Sequence, residues 1–494
     1  MIRIPEYGEL HVVSDLHLGG ETPGRQIFDQ ADQFEQMIDL LLSVSDERKQ
    51  ALLINGDLVD FLAETNAVYF DPMGAADKLR RIFEDPSFVR VWGALKKFVK
   101  KPNRTLIITL GNHDLELALP WVRVQLVQML CDGNDEARAR IVLAFEEGGY
   151  RCAVGSADVL CVHGNEVDPW NVTDFEQLRR MGQNSLRGAE VEEWTPNGGT
   201  KLVIDVMNGL KRKHPFIDLL KPEEGGVIPT LLVLDPEAAA KIGGAVPAWL
   251  RSRWDQVKMA AGFLDEDEGV AIAEISKRQK KPVEFLGEMV SDTFGQPTMD
   301  LQELLQRTEQ RMRAGTTPMQ LLGSAHRSEF LGVFGALRNL LLRKGKSEVL
   351  REALDKLSKD LSFQFQTTDD TYQQIDRKIS SNIDFIVTGH THLERALPRA
   401  NGGGYYYNSG TWVRLIQLTA QWLGTANGFL PAFNAFEAAQ MTALDALPGL
   451  VLRRPAVVSF WADDQGTHGE LRHVGPGGFV PMGGSKYTIK RNTP

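Results

Sequence analysis

Residues 106–114 read LIITLGNHD, an apolar strand pattern followed at once by a glycine and three polar residues. Similar arrangements occur at LHVVSDLHLG (residues 10–19) and at ALLINGD (residues 51–57). A helical pattern at residues 29–44 follows the strand that begins at residue 10, and a long amphipathic region spans roughly residues 75–101. Strand, polar loop and helix therefore alternate along the chain. This order predicts βαβ units with right-handed crossovers, and so a sheet that is covered on both faces.

The polar residues lie where each predicted strand ends, which is where sheets of this type bind ligands. Two later motifs also follow apolar segments: His163-Gly164-Asn165 and Gly389-His390-Thr391-His392. We expect residues 141–145, 150–154 and 159–162 to form an antiparallel meander that leads into the first of these motifs. Five of the ten histidines lie in the polar motifs. The pattern is what a protein needs to bind metal ions at one edge of a sheet.

The candidate metal ligands are nitrogen and oxygen donors, and the motifs supply seven of them: Asp15, His17, Asp57, Asn112, His163, His390 and His392. Because a carboxylate has two oxygens, Asp57 is the natural ligand to be shared between two ions. A set without cysteine suits borderline divalent ions such as Mn²⁺, Fe²⁺ or Zn²⁺ better than calcium or a structural zinc. Two such ions attract phosphate and acidify a bridging water, which is chemistry for hydrolysing phosphate esters.

The series Asp-x-His, Gly-Asp, Gly-Asn-His-Asp, His-Gly and Gly-His-Thr-His resembles the calcineurin-like metallophosphoesterase superfamily. The resemblance covers about residues 1–166 and 382–412. It implies an α/β fold, a four-layer α/β/β/α sandwich, with a dinuclear metal centre. It implies that the first ion is bound by Asp15, His17, Asp57 and His392. It implies that the second ion is bound by Asp57, Asn112, His163 and His390.

The resemblance also implies catalytic roles for His113 and Asp114. His113 matches the superfamily's histidine that binds no metal, so it is expected to contact the phosphate and protonate the leaving oxygen as a general acid. Asp114 is expected to hold the His113 ring in position. The expected reaction is attack on phosphorus by a hydroxide that the two ions bind. Asp60 is expected either to support this site or to be solvated.

Within the superfamily, the motifs look most like those of bacterial UDP-2,3-diacylglucosamine hydrolases, which cleave a pyrophosphate. Two motifs differ from that branch. The branch has Gly-Asn-Arg-Asp where this chain has Gly-Asn-His-Asp at 111–114, and His-Gly-Asp where it has His-Gly-Asn at 163–165. Proteins of that branch are also about half as long as this chain. The sequence therefore leaves the substrate open between a phosphate ester and a pyrophosphate.

The chain has 494 residues, which is too long for one ordinary core. We expect residues 1–169 to form the first part of a phosphoesterase core and residues 382–412 to supply its last motif. Residues 170–381 are expected to form a mainly helical insertion that acts as a cap. Residues 413–494 are expected to contain C-terminal helices and a β-hairpin.

The net charge of −10 disfavours non-specific binding to nucleic acid. A small phosphorylated molecule is therefore the expected substrate. A nuclease of the same superfamily and a non-catalytic scaffold on the same fold are the alternatives. The apolar stripe at residues 330–341 has two possible interpretations. It could contact a lipid substrate or a membrane surface, or it could form the core of the cap.

The three cysteines, the lack of a visible secretory pattern and the lack of a membrane-length apolar run together predict a cytoplasmic protein.

Overall fold

A computed structural model of the chain describes residues 4–20, 26–146, 148–221, 223–235 and 345–490. The apolar stripe at 330–341 lies outside these residues. The chain forms two compact units. The core unit comprises Met1–Ile204, Leu361–Arg414 and Arg453–Pro494, and the helical unit comprises Asp205–Asp360 and Leu415–Leu452.

Sixteen strands are found among the described residues. They are β1 (Glu6–Tyr7), β2 (Glu9–Val13), β3 (Gln50–Asn55), β4 (Arg104–Thr109), β5 (Ile141–Ala144), β6 (Tyr150–Val154), β7 (Ala157–Cys161), β8 (Phe385–Thr388), β9 (Arg395–Pro398), β10 (Tyr405–Asn408), β11 (Leu415–Ile416), β12 (Val451–Leu452), β13 (Ala456–Asp463), β14 (Gly466–Gly475), β15 (Gly478–Pro481) and β16 (Tyr487–Ile489).

The α-helices of the described residues are α1 (Ala31–Leu42), α2 (Ala75–Glu84), α3 (Val89–Lys100), α4 (Pro120–Cys131), α5 (Asp135–Arg138), α6 (Phe175–Arg187), α7 (Gly198–Leu202), α8 (Asn208–Lys213), α9 (Glu223–Leu234), α10 (Lys346–Leu354), α11 (Asp370–Lys378), α12 (Ala420–Leu423), α13 (Ala426–Ala438) and α14 (Met441–Asp445).

The larger sheet of the core unit has the strand order β15-β14-β13-β2-β3-β4-β5, and β16 pairs with β14. Strands β2, β3 and β4 run parallel to one another, as the alternation of strands and helices predicts, and β5 pairs parallel with β4. The predicted C-terminal hairpin is present as β13 and β14, and β13 pairs antiparallel with β2. The last strands of the chain therefore extend the sheet that its first strands begin.

The second sheet has the order β1-β6-β7-β8-β10-β9. The expected antiparallel pairing of β6 and β7 is confirmed. The expectation that residues 141–145 join this meander is wrong, because β5 pairs parallel with β4 in the larger sheet. Helices α4 and α5 form the crossover from β4 to β5, so the βαβ rule that governs the earlier strands also governs this one.

Three apolar cores separate the layers of the core unit. Leu53 and Ile107 of the larger sheet pack with Val159 and Phe385 of the second sheet. The opposite face of the larger sheet packs against the helices α1 to α4. The outer face of the second sheet packs against α11, where Tyr406 contacts Tyr372. The four layers are thus helix, sheet, sheet and helix, and the predicted α/β/β/α sandwich is confirmed.

The amphipathic region at 75–101 forms two helices, α2 and α3, rather than one. The residue before a proline is disfavoured in the helical conformation. Asp85 precedes Pro86 and is extended, with φ −64° and ψ 125°, so α2 ends there. The apolar residues of α3 still face the sheet, where Trp92 and Phe98 are buried.

The helical unit contains α8 to α10, α12 to α14 and the two-stranded sheet of β11 and β12. Helix α10 packs against α9 and α13. Phe216 and Phe436 lie in ring contact with centroids 4.8 Å apart. Among the described residues, none of the helices has the length and apolar composition of a membrane span.

The sequence assigns residues 170–204 and 361–381 to the insertion and residues 453–490 to the tail, but all three stretches cluster with the core unit. Helix α6 occupies 175–187 and β13 to β16 lie within residues 453–490. The expected helical insertion stays a prediction for residues 236–344, which lie outside the described residues.

Candidate metal centre

The polar motifs continue the parallel strands beyond their carboxyl ends. Asp15 follows β2, Asp57 follows β3 and Asn112 follows β4. Backbone hydrogen bonds link the first two loops, because the His17 N–H donates to the carbonyl of Asp57 at 2.9 Å and the Asp60 N–H donates to that of Leu18 at 2.9 Å. The loops are therefore held side by side by the same kind of bonds that pair the strands.

Five of the seven predicted ligands have a left-handed backbone. Their φ angles lie between 47° and 68°, and the residues are Asp15, His17, Asp57, His390 and His392. Non-glycine residues rarely adopt this region, because the Cβ atom crowds the backbone. Such strain concentrates at functional sites, where the surrounding structure enforces it. The sharp turns point successive side chains of each motif into one pocket.

Two motif glycines are required by close packing against carboxylates. A Cβ atom on Gly111 would overlap with the side chain of Asp57, and one on Gly389 would overlap with those of Asp15 and Ser14. These positions explain why glycine precedes the polar residues in both motifs. Any larger residue would displace a predicted ligand.

Asp57 lies at the middle of the candidate site and is almost fully buried. Its Oδ2 atom is 3.6 Å from His17 Nε2 and 3.3 Å from His163 Nε2. Its Oδ1 atom accepts a hydrogen bond from the His113 N–H at 2.9 Å. One carboxylate oxygen thus faces histidines from both predicted ligand sets, which is the arrangement expected of a shared ligand.

Asp15 is the second buried carboxylate of the site. Its Oδ1 atom is 3.4 Å from His392 Nε2 and 3.8 Å from His17 Nε2. The backbone N–H of His390 donates to the same carboxylate, at 3.0 Å to Oδ2. Asp15 therefore joins the first motif of the chain to the last one, about 375 residues later.

The structure gathers donor atoms into three groups that could bind a metal ion. Each group contains atoms within 4.8 Å of one another. The groups are Asp15, His17 and His392; Asp15, Asp57 and His163; and His17, Asp60 and His113. Five predicted ligands thus share a pocket, and His390 falls outside these groups.

Two further observations fit the predicted second ion. Asn112 Oδ1 and His163 Nε2 are buried and have no hydrogen-bond partner within the described residues. Buried polar atoms are rarely left unpaired, so each such atom calls for an explanation. The other His163 nitrogen, Nδ1, lies 2.7 Å from the carbonyl of Asn55. That contact fixes the ring with Nε2 facing Asp57, where a cation would satisfy it.

His390 lies at the edge of this group. Its ring is 5.5 Å from that of His163, and its Nε2 atom lies 2.9 Å from Asp168 Oδ2. Asn408 supports the motif, because its Nδ2 atom donates to the carbonyl of Gly389 at 2.7 Å.

Asp114 does not hold the His113 ring, and this expectation is wrong. His113 Nδ1 lies 3.0 Å from Asp60 Oδ1 instead. The two oxygens of Asp114 accept hydrogen bonds from the backbone N–H groups of Gly111, at 2.8 Å, and Leu58, at 2.9 Å. Asp114 therefore ties two loops together below the site, and its carboxylate is occupied by the backbone.

Asp60 is the residue whose role the sequence left undecided. It is buried, and its second oxygen lies 3.3 Å from His17 Nδ1. One carboxylate therefore contacts both a predicted ligand and the predicted acid. The available sequence signal was its place three residues after Asp57 in the same loop, but spacing alone does not show which rings a carboxylate touches.

The electrostatics of the pocket favour bound positive charge. Burial alone would raise the pKa of Asp15 and of Asp57, but the neighbouring histidines outweigh it and lower both pKa values. Burial opposes charge on His163 as well, yet Asp57 and Asp15 raise the pKa of His163 to about 10. The carboxylates thus keep protons on nearby imidazoles, and a divalent cation would supply the same charge.

Asp114 shows the opposite behaviour. Burial, together with the charge of Asp57, raises the pKa of Asp114 to about 7. Its two backbone hydrogen bonds offset only part of this effect. In this site the carboxylates of Asp15 and Asp57 therefore face imidazoles, whereas that of Asp114 faces the backbone.

Residues 9–218 match the model of a family described as calcineurin-like phosphoesterase. No curated protein shows a significant match to the chain. Over residues 9–218 the match confirms the resemblance to calcineurin-like phosphoesterases seen in the motifs. The matched residues contain β2 to β7 and the first four of the five polar motifs. The family and the clustered histidine and aspartate groups together indicate a metal-dependent phosphoesterase.

Proposed function

We propose that this protein hydrolyses a phosphate ester or a pyrophosphate with the help of two divalent ions. The observation that carries the proposal is the position of Asp57 Oδ2 between His17 and His163. A carboxylate so placed can serve two cations at once. Two-metal sites of this kind catalyse in-line displacement at phosphorus.

The two proposed ligand sets share Asp57. The first ion would be bound by Asp15, His17, Asp57 and His392. The second ion would be bound by Asp57, Asn112, His163 and His390. The first set is supported by the group of Asp15, His17 and His392, and the second by the unpaired atoms of Asn112 and His163. The donor types suit Mn²⁺, Fe²⁺ or Zn²⁺. When bound, the ions would neutralise phosphoryl oxygens and lower the pKa of a water molecule.

His113 is the proposed general acid. Its ring lies edge-on to His17 with centroids 4.7 Å apart, and its side chain stays partly exposed. Because Nδ1 contacts Asp60, Nε2 is the nitrogen that would give its proton to the leaving oxygen. A proton delivered there lets the product leave as an alcohol or phosphate rather than as a strongly basic anion.

Asp60 is proposed to position this acid. Its carboxylate fixes the His113 ring. Because the same carboxylate also contacts His17, it keeps His113 at a set distance from the metal pocket. Asp114 is proposed to act one step further away, because it anchors the loop that carries Asn112 and His113.

A substrate panel tests the proposal. The manganese-loaded protein is assayed with an aryl monophosphate, an aryl diester, a nucleotide-sugar pyrophosphate, a cyclic nucleotide and single-stranded DNA. We expect hydrolysis of a small phosphorylated compound, and none of it in the Asp57→Asn variant. A protein that binds two ions but hydrolyses none of the compounds would contradict the proposed activity. Preferred cleavage of DNA, with steep dependence on salt, would favour the nuclease alternative.

A further inference from the structure

The segment that follows His163 contacts two proposed ligands of the second ion. We call residues 165–173 the Asp168 loop. Asp168 Oδ2 lies 2.9 Å from His390 Nε2, and Asn171 Oδ1 lies 3.5 Å from Asn112 Nδ2. The motif series of the family resemblance includes neither Asp168 nor Asn171. The loop therefore adds polar contacts that the motifs do not account for.

Asp168 and Asn171 are joined to each other. Asn171 Nδ2 donates to Asp168 Oδ2 at 2.7 Å, and the Trp170 N–H donates to Asp168 Oδ1 at 2.9 Å. A continuous polar chain thus runs from His390 through Asp168 and Asn171 to Asn112. Its two ends are proposed ligands of the second ion that come from separate motifs.

The loop itself is held firmly. Asn165 is fully buried, and its Nδ2 atom donates to the carbonyl of Asn171 at 2.9 Å. The Gly199 N–H donates to the carbonyl of Trp170 at 2.8 Å. A Cβ atom on Gly199 would overlap with the amide of Asn171, so α7 packs directly against the loop. The carboxylate of Asp168 is therefore presented by a fixed backbone.

Two other histidines of the site show the same pattern. His163 has Nδ1 against the carbonyl of Asn55, and His17 has Nδ1 beside Asp60. In each case an oxygen engages one ring nitrogen and leaves the other for the pocket. Histidines that bind metals almost always have such a partner, which fixes the ring and raises its basicity. For His390 the engaged nitrogen is Nε2 and the partner is Asp168.

We propose that Asp168 is a positioning residue for the second ion. It holds His390 through Nε2, so that Nδ1 is left to bind the ion, and Asn171 extends this support to Asn112. The inference rests on the proposed function, because it needs two ions in the pocket. It predicts that loss of the Asp168 carboxylate weakens one ion selectively.

The experiment measures manganese binding to the whole chain by isothermal titration calorimetry, with bound metal counted by elemental analysis. Asp168→Ala is compared with the wild-type protein and with Asp174→Asn. Asp174 is a matched control, because it is an aspartate on the same segment that caps α6 through the Gln177 N–H. We expect Asp168→Ala to weaken the second ion by about 10- to 100-fold and to leave the first unchanged. Asp174→Asn should bind both ions as the wild type does.

The Asn112→Ala variant identifies which ion is affected. In that background the second ion should already be lost, so adding Asp168→Ala should leave the affinity of the remaining ion unchanged. Equal weakening of both ions by Asp168→Ala would overturn the inference, since a general structural role would produce it. Wild-type affinity for both ions in Asp168→Ala would also overturn it.

Two further results keep the inference separate from the proposed function. If Asp168→Ala does not fold, Asn171→Ala tests the same chain of contacts, with a smaller selective loss expected. A wild-type protein that binds fewer than two manganese ions would contradict the proposed function, and this inference with it. If the wild-type protein and the Asp168→Ala variant both bind two ions with the same affinities, only this inference is contradicted.

Discussion

The two ends of the parallel strands β2 to β4 both bury charged side chains, yet they are built differently. At the amino ends lie Glu9, Gln50 and Arg104, all within regular strand. At the carboxyl ends lie Asp15 and Asp57, both with left-handed backbone. Buried charge alone therefore does not distinguish the two regions, but the backbone does.

The charge balance also differs. Glu9 pairs with Arg48 and accepts a hydrogen bond from Gln50 at 2.9 Å. The Arg104 guanidinium donates to backbone carbonyls, including that of Val44 at 2.8 Å. In the described part of the chain, no lysine or arginine pairs with Asp15, Asp57 or Asp60, whose ionic partners there are histidines.

A buried carboxylate that has a permanent cation nearby is already satisfied and serves the fold. A group of buried carboxylates with only imidazoles nearby retains negative charge whenever those imidazoles are neutral. Burial of such charge is costly unless it is compensated. The carboxyl ends are thus suited to a cation, and the amino ends are complete without one.

The largest expected effect comes from exchanging Asp57 for Asn. The amide cannot share a negative charge between two ions, so both ions should be weakened and activity should fall below detection. Elemental analysis after dialysis and a turnover assay measure the two effects. Glu9→Gln is the matched control, since it makes the same change at the other end of the strands and should bind two ions. A fully active Asp57→Asn protein would remove the basis of the comparison.

Replacement of His113 by Ala should separate binding from catalysis. The variant should keep both ions and lose about 10²- to 10⁴-fold in turnover, because the general acid is absent. Asp60→Asn should lose less, since the His113 ring remains but is held more loosely. Steady-state kinetics with several substrates checks both variants. Wild-type turnover by His113→Ala on all of them would exclude the acid role.

Metal binding should depend on pH with a definite sign. The pKa of His163 is raised to about 10 in the metal-free protein, so near pH 7 the imidazole carries a proton that a cation must displace. Affinity for manganese should therefore increase as pH rises from about 6 to about 9. Calorimetry in buffers of different ionisation enthalpy should show proton release on binding. Affinity that is constant across this range, without proton release, would contradict the assignment.

The same pKa has a consequence for the stability of the metal-free protein. The pKa of His163 is raised in the folded state, so the protonated ring stabilises the fold. This contribution is complete below the ordinary pKa of 6.5 and is lost as pH rises through about 10. Chemical unfolding at pH 6.5 and pH 9.5 measures this loss. His163→Gln, which keeps a polar side chain but does not titrate, should reduce the difference between the two pH values.

The smallest expected effect is at the amino ends of the strands. Burial would raise the pKa of Glu9, but hydrogen bonds with His11 and Gln50 lower it to about 2. A lowered pKa stabilises the fold above about 4.5, and the benefit is lost as pH falls toward 2. Glu9→Gln should therefore cost about 1–3 kcal/mol at pH 7 and much less at pH 3. Urea unfolding at the two pH values, with unchanged manganese binding, would confirm a purely structural role.

The sequence predicts most of the core unit. The runs at 10–13, 51–54 and 106–110 are buried on both faces, so they are mostly apolar and easily recognised as parallel strands. The amphipathic spacing of α1 and the turn between β13 and β14 are equally local. The motif loops follow from the strands, because parallel strands place their carboxyl ends at one edge.

Other features depend on contacts that no local pattern records. The pairing of β13 with β2 joins residues more than 440 positions apart. The choice of Asp60 over Asp114 as the partner of His113 is decided by where the Gly111 and Leu58 N–H groups lie. Asp168 reaches His390 across 222 positions. These are three-dimensional facts, and the sequence offered only the residue types.

Anomalous diffraction from crystals grown with manganese, recorded at the manganese absorption edge, tests whether two ions share Asp57. We expect two strong peaks about 3.5–4 Å apart, with the carboxylate of Asp57 between them. One peak should be next to His392 and the other next to Asn112. A single peak, or none within reach of Asp57, would contradict the claim that this carboxylate is shared by two ions.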